Sequence, residues 1–498
     1  MIKPFKLFFY GLCILLLSIG IYLLVPGGSV SLGGFAVHIP DCSFRSSEEV
    51  KYKDISNIIS LGNTLINDTT LTQSLIDTSK AGRDSTRLRH YAFKGFSGLK
   101  ADSLKKLLRT IEFPEGQDTA LYSFFNEVGN CSDRLIRILH YGDSQIEGDR
   151  ITSYLRNQLQ MQFGGEGIGL FPVVAVNPAS ISFVYEISDN WQRFTPLQNS
   201  GNSNRYGVLL NCARISGSGD LSAKKEVEAW INLKYANTSY PLAQRFKQCQ
   251  VFYGFNKAPM MVELKQQDSI VDAEIIPSAN RINRLRWDFS HSVKNITISF
   301  KATQTPDVYA ISLDGHTGIA VDNIPVRGSS GLEFTKSNPL FLSDFYNMLN
   351  VKMLIMQFGV NVVPNVRTNY SYYREGFYQQ LMALKLNHPN MPIIVIGVSD
   401  VSRNGANGLE SYPNIELIRD AQKSAAFAAG CAFWDMYEAM GGKNSMPSWV
   451  NANPPLAQKD FTHFNPVGAK IIAEMFYRAL MIEYERFLNH TANNLACK

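Results

Sequence analysis

The stretch Arg137-Ile-Leu-His-Tyr-Gly-Asp-Ser-Gln-Ile-Glu-Gly-Asp-Arg150 decides the fold of this chain. The apolar run 136–139 has the length of a strand, the pattern breaks at Gly142-Asp-Ser144, and helical periodicity resumes at Ile151. A strand that passes through a tight turn into a helix exposes a side chain at the carboxyl edge of an open α/β sheet, where such sheets bind ligands. Backbone N–H groups at a helix start favour negative charge. Ser144 is therefore a candidate nucleophile, with a plain turn as the alternative.

The C-terminal part of the chain contains the partners that a nucleophilic serine needs. Asp460 and His463 stand three positions apart, and Pro466 then opens the apolar-periodic run Val467–Leu480, as in the first turn of a helix. A hydroxyl nucleophile requires a base, and the base requires an orienting group. We therefore predict a catalytic triad of Ser144, His463 as the base and Asp460 as the orienting carboxylate.

The segment from residue 313 onward has the pattern of an α/β protein. The predicted strands are Met353–Met356, Pro392–Gly397 and Cys431–Trp434, and the predicted helices between them are Tyr372–Leu386 and Ile415–Ala429. Continuous apolar strands that alternate with helices indicate a parallel sheet covered on both faces.

Residues 172–312 show period-two patterning instead. Strand-like runs with Gly-, Ser- and Asn-rich turns between them predict a β-sandwich, and four of these runs are Ser180–Ile187, Val227–Leu233, Cys249–Phe255 and Val293–Phe300. Trp191, Tyr206 and Trp287 are candidates for stacking on sugar rings. The alternative is that they belong to the core, because large aromatic side chains are usually buried.

Four blocks, in this order along the chain, resemble those of the SGNH (GDSL) hydrolases. They are Gly142-Asp-Ser144, Arg327-Gly-Ser-Ser-Gly331, Gln357-Phe-Gly-Val-Asn361 and Asp460-Phe-Thr-His463. The chain departs from the family in having Val362 where an Asp is frequent, and in the long segment between the first two blocks. No Gly-x-Ser-x-Gly elbow occurs in the sequence, which argues against the α/β-hydrolase fold.

The resemblance implies a flavodoxin-like three-layer α/β/α fold and a serine hydrolase with an acyl-serine intermediate. It also implies an oxyanion hole made by the Ser144 N–H, the Gly331 N–H and the Asn361 side chain, with Gly328 as the rival glycine. A similar sandwich is inserted at this point in SGNH enzymes that act on peptidoglycan acetyl groups, which makes glycan binding by the sandwich a hypothesis.

Other polar residues near Ser144 have simpler interpretations. His140 is expected to be a pocket wall or a packed residue. Asp143, Glu147 and Asp149 are expected to cap the helix rather than hold a metal, because no His or Cys accompanies them. The run Gly164–Gly169 follows a helix rather than a strand, which disfavours dinucleotide binding. We predict neither a cofactor nor a metal.

The N-terminus contains an uncharged, mostly apolar run, residues 7–25. At ~1.5 Å per residue this run spans a ~30 Å hydrocarbon core. Lys3 and Lys6 precede it, which predicts that the N-terminus stays inside and the rest of the chain is exported. We expect an uncleaved membrane anchor that leaves the chain facing the periplasm or cell exterior, with a cleaved signal peptide and secretion as the alternative.

Composition restricts the remaining function classes. A net charge of +5 over 498 residues gives no indication of nucleic-acid binding. The seven cysteines show no Cys-x-x-Cys spacing, and Cys212 and Cys249 are candidates for a disulfide in an exported compartment. The predicted organisation is an anchor (1–30), a tether and helical membrane-proximal region (31–130), two parts of an SGNH domain (131–171 and 313–498), and the sandwich (172–312).

Three functional hypotheses follow. The first is an exported serine esterase that removes O-acyl groups, above all O-acetyl, from a cell-envelope or other polysaccharide. The second is an O-acyltransferase that uses the same triad with a sugar hydroxyl as acceptor. The third is a non-catalytic glycan-binding protein on an SGNH scaffold. The expected partners are an acylated polysaccharide or peptidoglycan and, through the N-terminal helix, a membrane.

Overall fold

The computed structural model describes residues 8–14, 16–17, 28–32, 35–39, 50–67, 109–198, 204–217, 226–267, 269–291, 293, 295–406 and 408–496. The chain divides into a first unit, residues 1–51 with 404–408, and a second unit, residues 52–403 with 409–498. The second unit contains all the candidate site residues.

The first unit contains an antiparallel hairpin of β1 (Gly28–Leu32) and β2 (Phe35–Ile39). The start of the predicted tether and membrane-proximal region, 31–130, therefore contains a hairpin strand. Of the predicted membrane-spanning run 7–25, residues 8–14 and 16–17 are helical, and the other positions of that run lie outside the described residues. Within the described part of the chain, no helix has both the length and the apolar character needed to cross a membrane.

A five-stranded sheet forms the centre of the second unit, with the order β15-β3-β16-β17-β20. All adjacent strands of this sheet pair in parallel, so their carboxyl ends lie at one common edge. The strands are β3 (Leu135–Gly142), β15 (Gly318–Pro325), β16 (Val351–Gln357), β17 (Ile393–Ile396) and β20 (Ala432–Trp434). The short strands β18 (Ser402–Gly405) and β19 (Gly408–Ser411) follow β17 in the chain.

Helices cover both faces of this sheet. Ile136 and Ile138 of β3 lie in one hydrophobic cluster with α1, α2, α3 and α9, and Leu139 and Tyr141 lie in another with α4, α5 and α6. The three-layer arrangement and the parallel sheet are therefore as predicted. The helices are α1 (Ser56–Asn67), α2 (Tyr122–Val128), α3 (Thr152–Phe163), α4 (Pro339–Leu349), α5 (Ser371–Lys385), α6 (Ile415–Ala428), α7 (Met436–Ala439), α8 (Met446–Asn451) and α9 (Pro466–Ala496).

Two antiparallel sheets occupy the segment with period-two patterning. One has the order β11-β10-β13-β8-β5, the other has the order β12-β9-β14-β7-β6, and β4 pairs with β14. Both contribute to one hydrophobic core, for example through Val262 and Val251. The strands are β4 (Gly169–Phe171), β5 (Phe183–Ile187), β6 (Trp191–Phe194), β7 (Cys212–Ile215), β8 (Val227–Tyr235), β9 (Gln248–Gly254), β10 (Met260–Gln266), β11 (Ser269–Ile276), β12 (Ile282–Asp288), β13 (Asn295–Ala302) and β14 (Asp307–Asp314).

The sheet boundaries differ slightly from the expected sandwich limits of 172 and 312. Strand β4 begins three residues before 172, and β14 ends two residues after 312. The division into domains stays a prediction. Cys212 and Cys249 are both buried with free thiols, so the candidate disulfide between them is absent.

A buried ion cluster joins β14 to the parallel sheet. The guanidinium of Arg137 on β3 donates to Asp322 on β15 at 2.8 Å and to Asp314 on β14 at 2.6 Å. Asp322 also accepts the backbone N–H of Leu170 on β4 at 2.7 Å. Burial raises the pKa of Asp322, and the charge of Arg137 opposes that rise. One arginine thus connects a strand of each β structure.

Candidate active site

The turn after β3 presents Ser144 at the carboxyl edge of the sheet. Gly142 permits a close approach to β16, because a Cβ there would lie 2.8 Å from the Gln357 carbonyl oxygen. Asp143 caps the 3₁₀ turn Ser144–Asp149 by accepting the Gln145 N–H at 3.0 Å. Its other carboxylate oxygen accepts the Val360 N–H at 3.3 Å. The Asp143 side chain therefore connects this turn to the loop after β16.

The microenvironment of Asp143 is electrostatically unusual. Burial raises its pKa to about 7, although backbone N–H groups, including those of Gln145 and Val360, oppose the shift. The prediction that Asp143 and Asp149 cap the following helix is wrong, because Asp143 caps the 3₁₀ turn, α3 has no side-chain cap, and Asp149 pairs with Arg156 at 2.7 Å. Among the described residues, no group of His, Cys, Asp and Glu side chains has the arrangement of a metal site.

The structure brings the three predicted triad residues together. His463 Nε2 lies 2.8 Å from Ser144 Oγ, and His463 Nδ1 lies 2.7 Å from Asp460 Oδ2. A carboxylate can only accept, so Nδ1 carries the proton that points to Asp460. This leaves Nε2 as the acceptor for the Ser144 hydroxyl, which is the arrangement that a general base requires.

Asp460 is held as a carboxylate by its own loop. Partial burial raises its pKa, but hydrogen bonds from the His463 N–H, the His463 ring and the Thr462 N–H outweigh burial and lower the pKa below its ordinary value. The two backbone bonds are both 3.0 Å long. Asp460 is therefore ionised at neutral pH and can stabilise the positive charge that His463 acquires on taking a proton.

The loop that carries Asp460 and His463 is fixed by backbone hydrogen bonds. The Ser402 N–H donates to the Phe461 carbonyl at 3.0 Å, and the Gln458 N–H donates to the His463 carbonyl at 2.8 Å. Phe461 has a φ of +53°, a left-handed conformation that is uncommon for a bulky residue. Asn465 then caps α9 by accepting the Val467 N–H at 2.9 Å. The expected helix start after His463 is present.

Two of the three predicted oxyanion residues, Gly331 and Asn361, contact Ser329 on the loop after β15. The Asn361 side-chain amide donates to the Ser329 carbonyl at 2.8 Å. An amide nitrogen carries two hydrogens, so one is left for a substrate oxygen. The Gly331 N–H donates to Ser329 Oγ at 2.8 Å, so in this structure it makes a hydrogen bond within its own loop. The oxyanion roles of these groups stay predictions.

The two rival glycines have different surroundings. Gly331 has a φ of +81°, and a Cβ on it would lie 2.9 Å from the Phe377 ring. Gly328 has a φ of +80° with open space around it, and it lies in a turn closed by the Ser329 N–H and the Val326 carbonyl at 3.0 Å. Only Gly331 is packed against the core of the sheet.

His140 is a packed residue rather than a second base. Its ring nitrogens lie 3.0 Å from Gln357 Oε1 and 2.9 Å from Thr152 Oγ1. Burial lowers the pKa of His140 to about 4, with a smaller contribution from the charge of Arg156. The ring is therefore neutral at pH 7.

The sugar-stacking interpretation of three sandwich aromatics is wrong. Trp191, Tyr206 and Trp287 are only 8%, 4% and 4% exposed and pack in the interior, so the alternative of core residues holds. Trp230 is 36% exposed. Its neighbours Ala229 and Ile231 on β8 belong to the sandwich core, so Trp230 points to the outer face of the five-stranded sheet. Sequence patterning alone did not distinguish it from the buried aromatics.

Comparison with known proteins supports the fold. No family model matches the sequence, and neither does any curated protein. A solved structure described as a peptidoglycan O-acetylesterase in action is similar, with a TM-score of 0.57 and 20% identity over 75% of this chain and 99% of that one. This likeness shows that the two chains share a fold.

Two other structures are similar to this chain much more loosely. A salicylyl-acyltransferase from a tetracycline biosynthetic pathway gives a TM-score of 0.26 at 11% identity, covering 62% of this chain and 97% of that chain. A GDSL-like lipase from Bacteroides ovatus gives 0.24 at 9% identity, covering 61% and 98%. Neither supports a conclusion about activity.

Proposed function

We propose that this chain is an exported serine esterase that removes O-acyl groups, above all O-acetyl, from a cell-envelope or other polysaccharide. The observation that carries the proposal is the hydrogen-bonded series Ser144, His463 and Asp460 at the carboxyl edge of the parallel sheet. The fold that the chain shares with a peptidoglycan O-acetylesterase supports an ester substrate on a glycan.

The geometry supports a two-step acyl transfer. His463 Nε2 takes the Ser144 proton while Oγ bonds to the ester carbonyl carbon, and Asp460 stabilises the resulting imidazolium. The imidazolium then gives the proton to the departing sugar oxygen as the ester C–O bond breaks, which leaves an acyl-serine. Water repeats the sequence, loses its proton to His463, and releases the carboxylic acid and free Ser144.

The negative oxygen of each tetrahedral intermediate needs donors. The proposed donors are the Ser144 N–H, the second hydrogen of the Asn361 amide and the Gly331 N–H. For Gly331 to contribute, its N–H must exchange the Ser329 hydroxyl for the substrate oxygen. Gly328 is the alternative donor on the same loop.

The exposure of the triad suits a polymeric substrate. The side chains of His463 and Asp460 are 24% and 45% exposed. A small acyl group on a long chain can reach such a surface site without the whole polymer entering a closed cavity. We also propose that the N-terminal run 7–25, preceded by Lys3 and Lys6, exports the chain and holds it at the membrane.

The outer face of the five-stranded sheet is the part of the sandwich that we propose contacts the glycan. Trp230 offers an exposed ring, and its register partner on β13 is Ser299. In the next row, the Asn232 amide donates to Thr297 Oγ1 at 2.7 Å. Ser299 is only 2% exposed, so the sugar-binding chemistry of this face comes from the exposed Trp230 ring and the half-buried side chains of Asn232 and Thr297. A sugar has apolar faces and hydroxyl groups at its edges.

The test is acetate release by the purified protein from a panel of O-acetylated glycans. Release that requires Ser144 supports the esterase. If wild-type protein releases acetate only slowly and a sugar acceptor becomes acylated, the second candidate, an O-acyltransferase with the same acyl-serine, replaces it. Binding to glycans without any acyl-serine formation favours the third candidate, a non-catalytic glycan-binding protein.

A further inference from the structure

Gln145, the residue directly after the nucleophile, has a side chain that is 1% exposed and fully engaged. Its amide nitrogen donates to the Thr462 carbonyl at 2.6 Å and to Ser399 Oγ at 3.0 Å. Its amide oxygen accepts the Phe464 N–H at 3.4 Å. One side chain thus binds the backbone on both sides of His463.

These contacts determine how the loop of His463 is placed relative to the turn of Ser144, which the triad bonds alone do not. The bonds between Asp460 and His463 lie within one loop, so they orient the ring relative to that loop. Ser144 is 319 positions away in the chain, and its distance to the ring depends on how the loop lies against the turn after β3. Gln145 joins the two segments right beside both reacting groups.

Two neighbouring contacts extend this connection. Arg150, at the end of the same turn, donates through Nη1 to the Phe464 carbonyl at 3.3 Å. Ser399 lies on the segment after β17. Through its bond to Ser399, the Gln145 amide therefore also connects the loop of His463 to the end of a third strand of the sheet. The loop is therefore held against the sheet edge, with Gln145 at the centre of the contacts.

We propose that Gln145 is a positioning residue that holds His463 Nε2 at hydrogen-bond distance from Ser144 Oγ. This inference rests on the proposed serine chemistry and deepens it. A buried amide that donates to a carbonyl and accepts an N–H has a fixed orientation, so a residue lacking either group allows the loop to shift. Displacement of a catalytic group by about 1 Å lowers the rate of an enzyme by about 10²-fold.

The test compares three variants in the full-length protein. Gln145→Leu keeps the approximate size and removes all three hydrogen bonds. Gln145→Glu keeps the shape and the acceptor for Phe464 but removes the donor to Thr462. Gln160→Leu is the matched control, because Gln160 is a buried glutamine on α3 whose amide donates to the Gly167 carbonyl at 3.1 Å. The readouts are kcat and KM for p-nitrophenyl acetate, the pH profile, and the rate at which a fluorophosphonate labels Ser144.

The positioning role predicts a specific combination of results. Gln145→Leu should lower kcat and the labelling rate by about 10²-fold with little change in KM, because Gln145 is buried beneath the site. The pH at which activity is half-maximal on the acid side should stay the same, because Asp460 and His463 move together with their loop. Gln145→Glu should remain impaired, and Gln160→Leu should keep the wild-type kcat.

Three results would overturn the proposal. They are a wild-type kcat in folded Gln145→Leu, an equal loss of kcat in Gln160→Leu, and full activity in Gln145→Glu. The last variant decides the matter even if Gln145→Leu does not fold. If wild-type protein is labelled at Ser144 but hydrolyses no ester, the proposed function fails, while the labelling rates still test Gln145. If it is neither labelled nor active, both ideas fail.

Discussion

The two β structures of the second unit place their polar side chains in different ways. In the parallel sheet all strands end at one edge, so the turn after β3, the loop after β16 and the segment after β17 meet there. Ser144 and Asn361 lie at that edge. In the sandwich the strands run in alternating directions, and polar residues such as Asn232 and Lys265 are spread over an outer face. Parallel topology therefore concentrates reactive groups, whereas antiparallel topology makes a broad surface.

The largest effect is expected from a change at the carboxyl edge of the parallel sheet. Ser144→Ala removes the nucleophile, and loss of a triad member typically lowers the rate by about 10⁴-fold or more. Hydrolysis of p-nitrophenyl acetate and of O-acetylated glycans should both disappear, and a fluorophosphonate should no longer label the protein. Ser132→Ala, an exposed serine before β3, is the control and should keep full activity. Turnover at the wild-type rate in Ser144→Ala would disprove the site assignment.

The next effect concerns the junction between the two structures. Arg137→Leu leaves the carboxylates of Asp314 and Asp322 buried without their cation, and breaking such a buried pair costs about 3–5 kcal/mol. The free energy of unfolding, measured in urea, should fall by that amount. Arg286→Leu is the matched control, because the Arg286–Asp288 pair on β12 is exposed and should contribute less than about 1 kcal/mol. Equal losses in the two variants would contradict this view of the junction.

The pattern of burial decided which strands of the parallel sheet could be predicted from the sequence. Strands β16 and β17 are buried on both faces, so they appear as continuous apolar runs. Strand β15 is not recognisable as an apolar run because it contains Asp322, whose burial depends on Arg137, 185 residues earlier. The triad was readable because its blocks are local. Gln145 was not, because its partners Thr462 and Ser399 lie 317 and 254 positions away.

The free energy of unfolding should also depend on pH through His140, and this effect is expected to be smaller. Its pKa in the folded protein is lowered to about 4 by burial, below the unfolded value of ~6.5. Above pH 6.5 both states are neutral at this residue. As the pH falls from 6.5 to 4, the unfolded chain binds a proton that the folded chain does not, so stability should fall by about 3 kcal/mol.

The measurement is the free energy of unfolding of wild-type protein and His140→Gln across that pH range. The wild type should lose its advantage over the variant as the pH falls, because only the wild type carries the imidazole. A difference that stays constant between pH 6.5 and pH 4 would show that His140 does not take up a proton on unfolding.

Trp230→Ala is expected to have the smallest effect on catalysis. It tests whether the sandwich contributes to substrate binding independently of the reaction at the parallel-sheet edge. Trp230 lies on the outer face of the sandwich, so hydrolysis of p-nitrophenyl acetate should not change. The KM for an acetylated polymer should rise, because the exposed ring no longer packs on a sugar. Trp230→Phe keeps an aromatic face and should retain most of the affinity, and Leu340→Ala, an exposed apolar residue on α4, is the control. An unchanged KM in Trp230→Ala would remove this face from substrate binding, and a slower reaction with the small ester would show that the sandwich and the triad are coupled rather than separate.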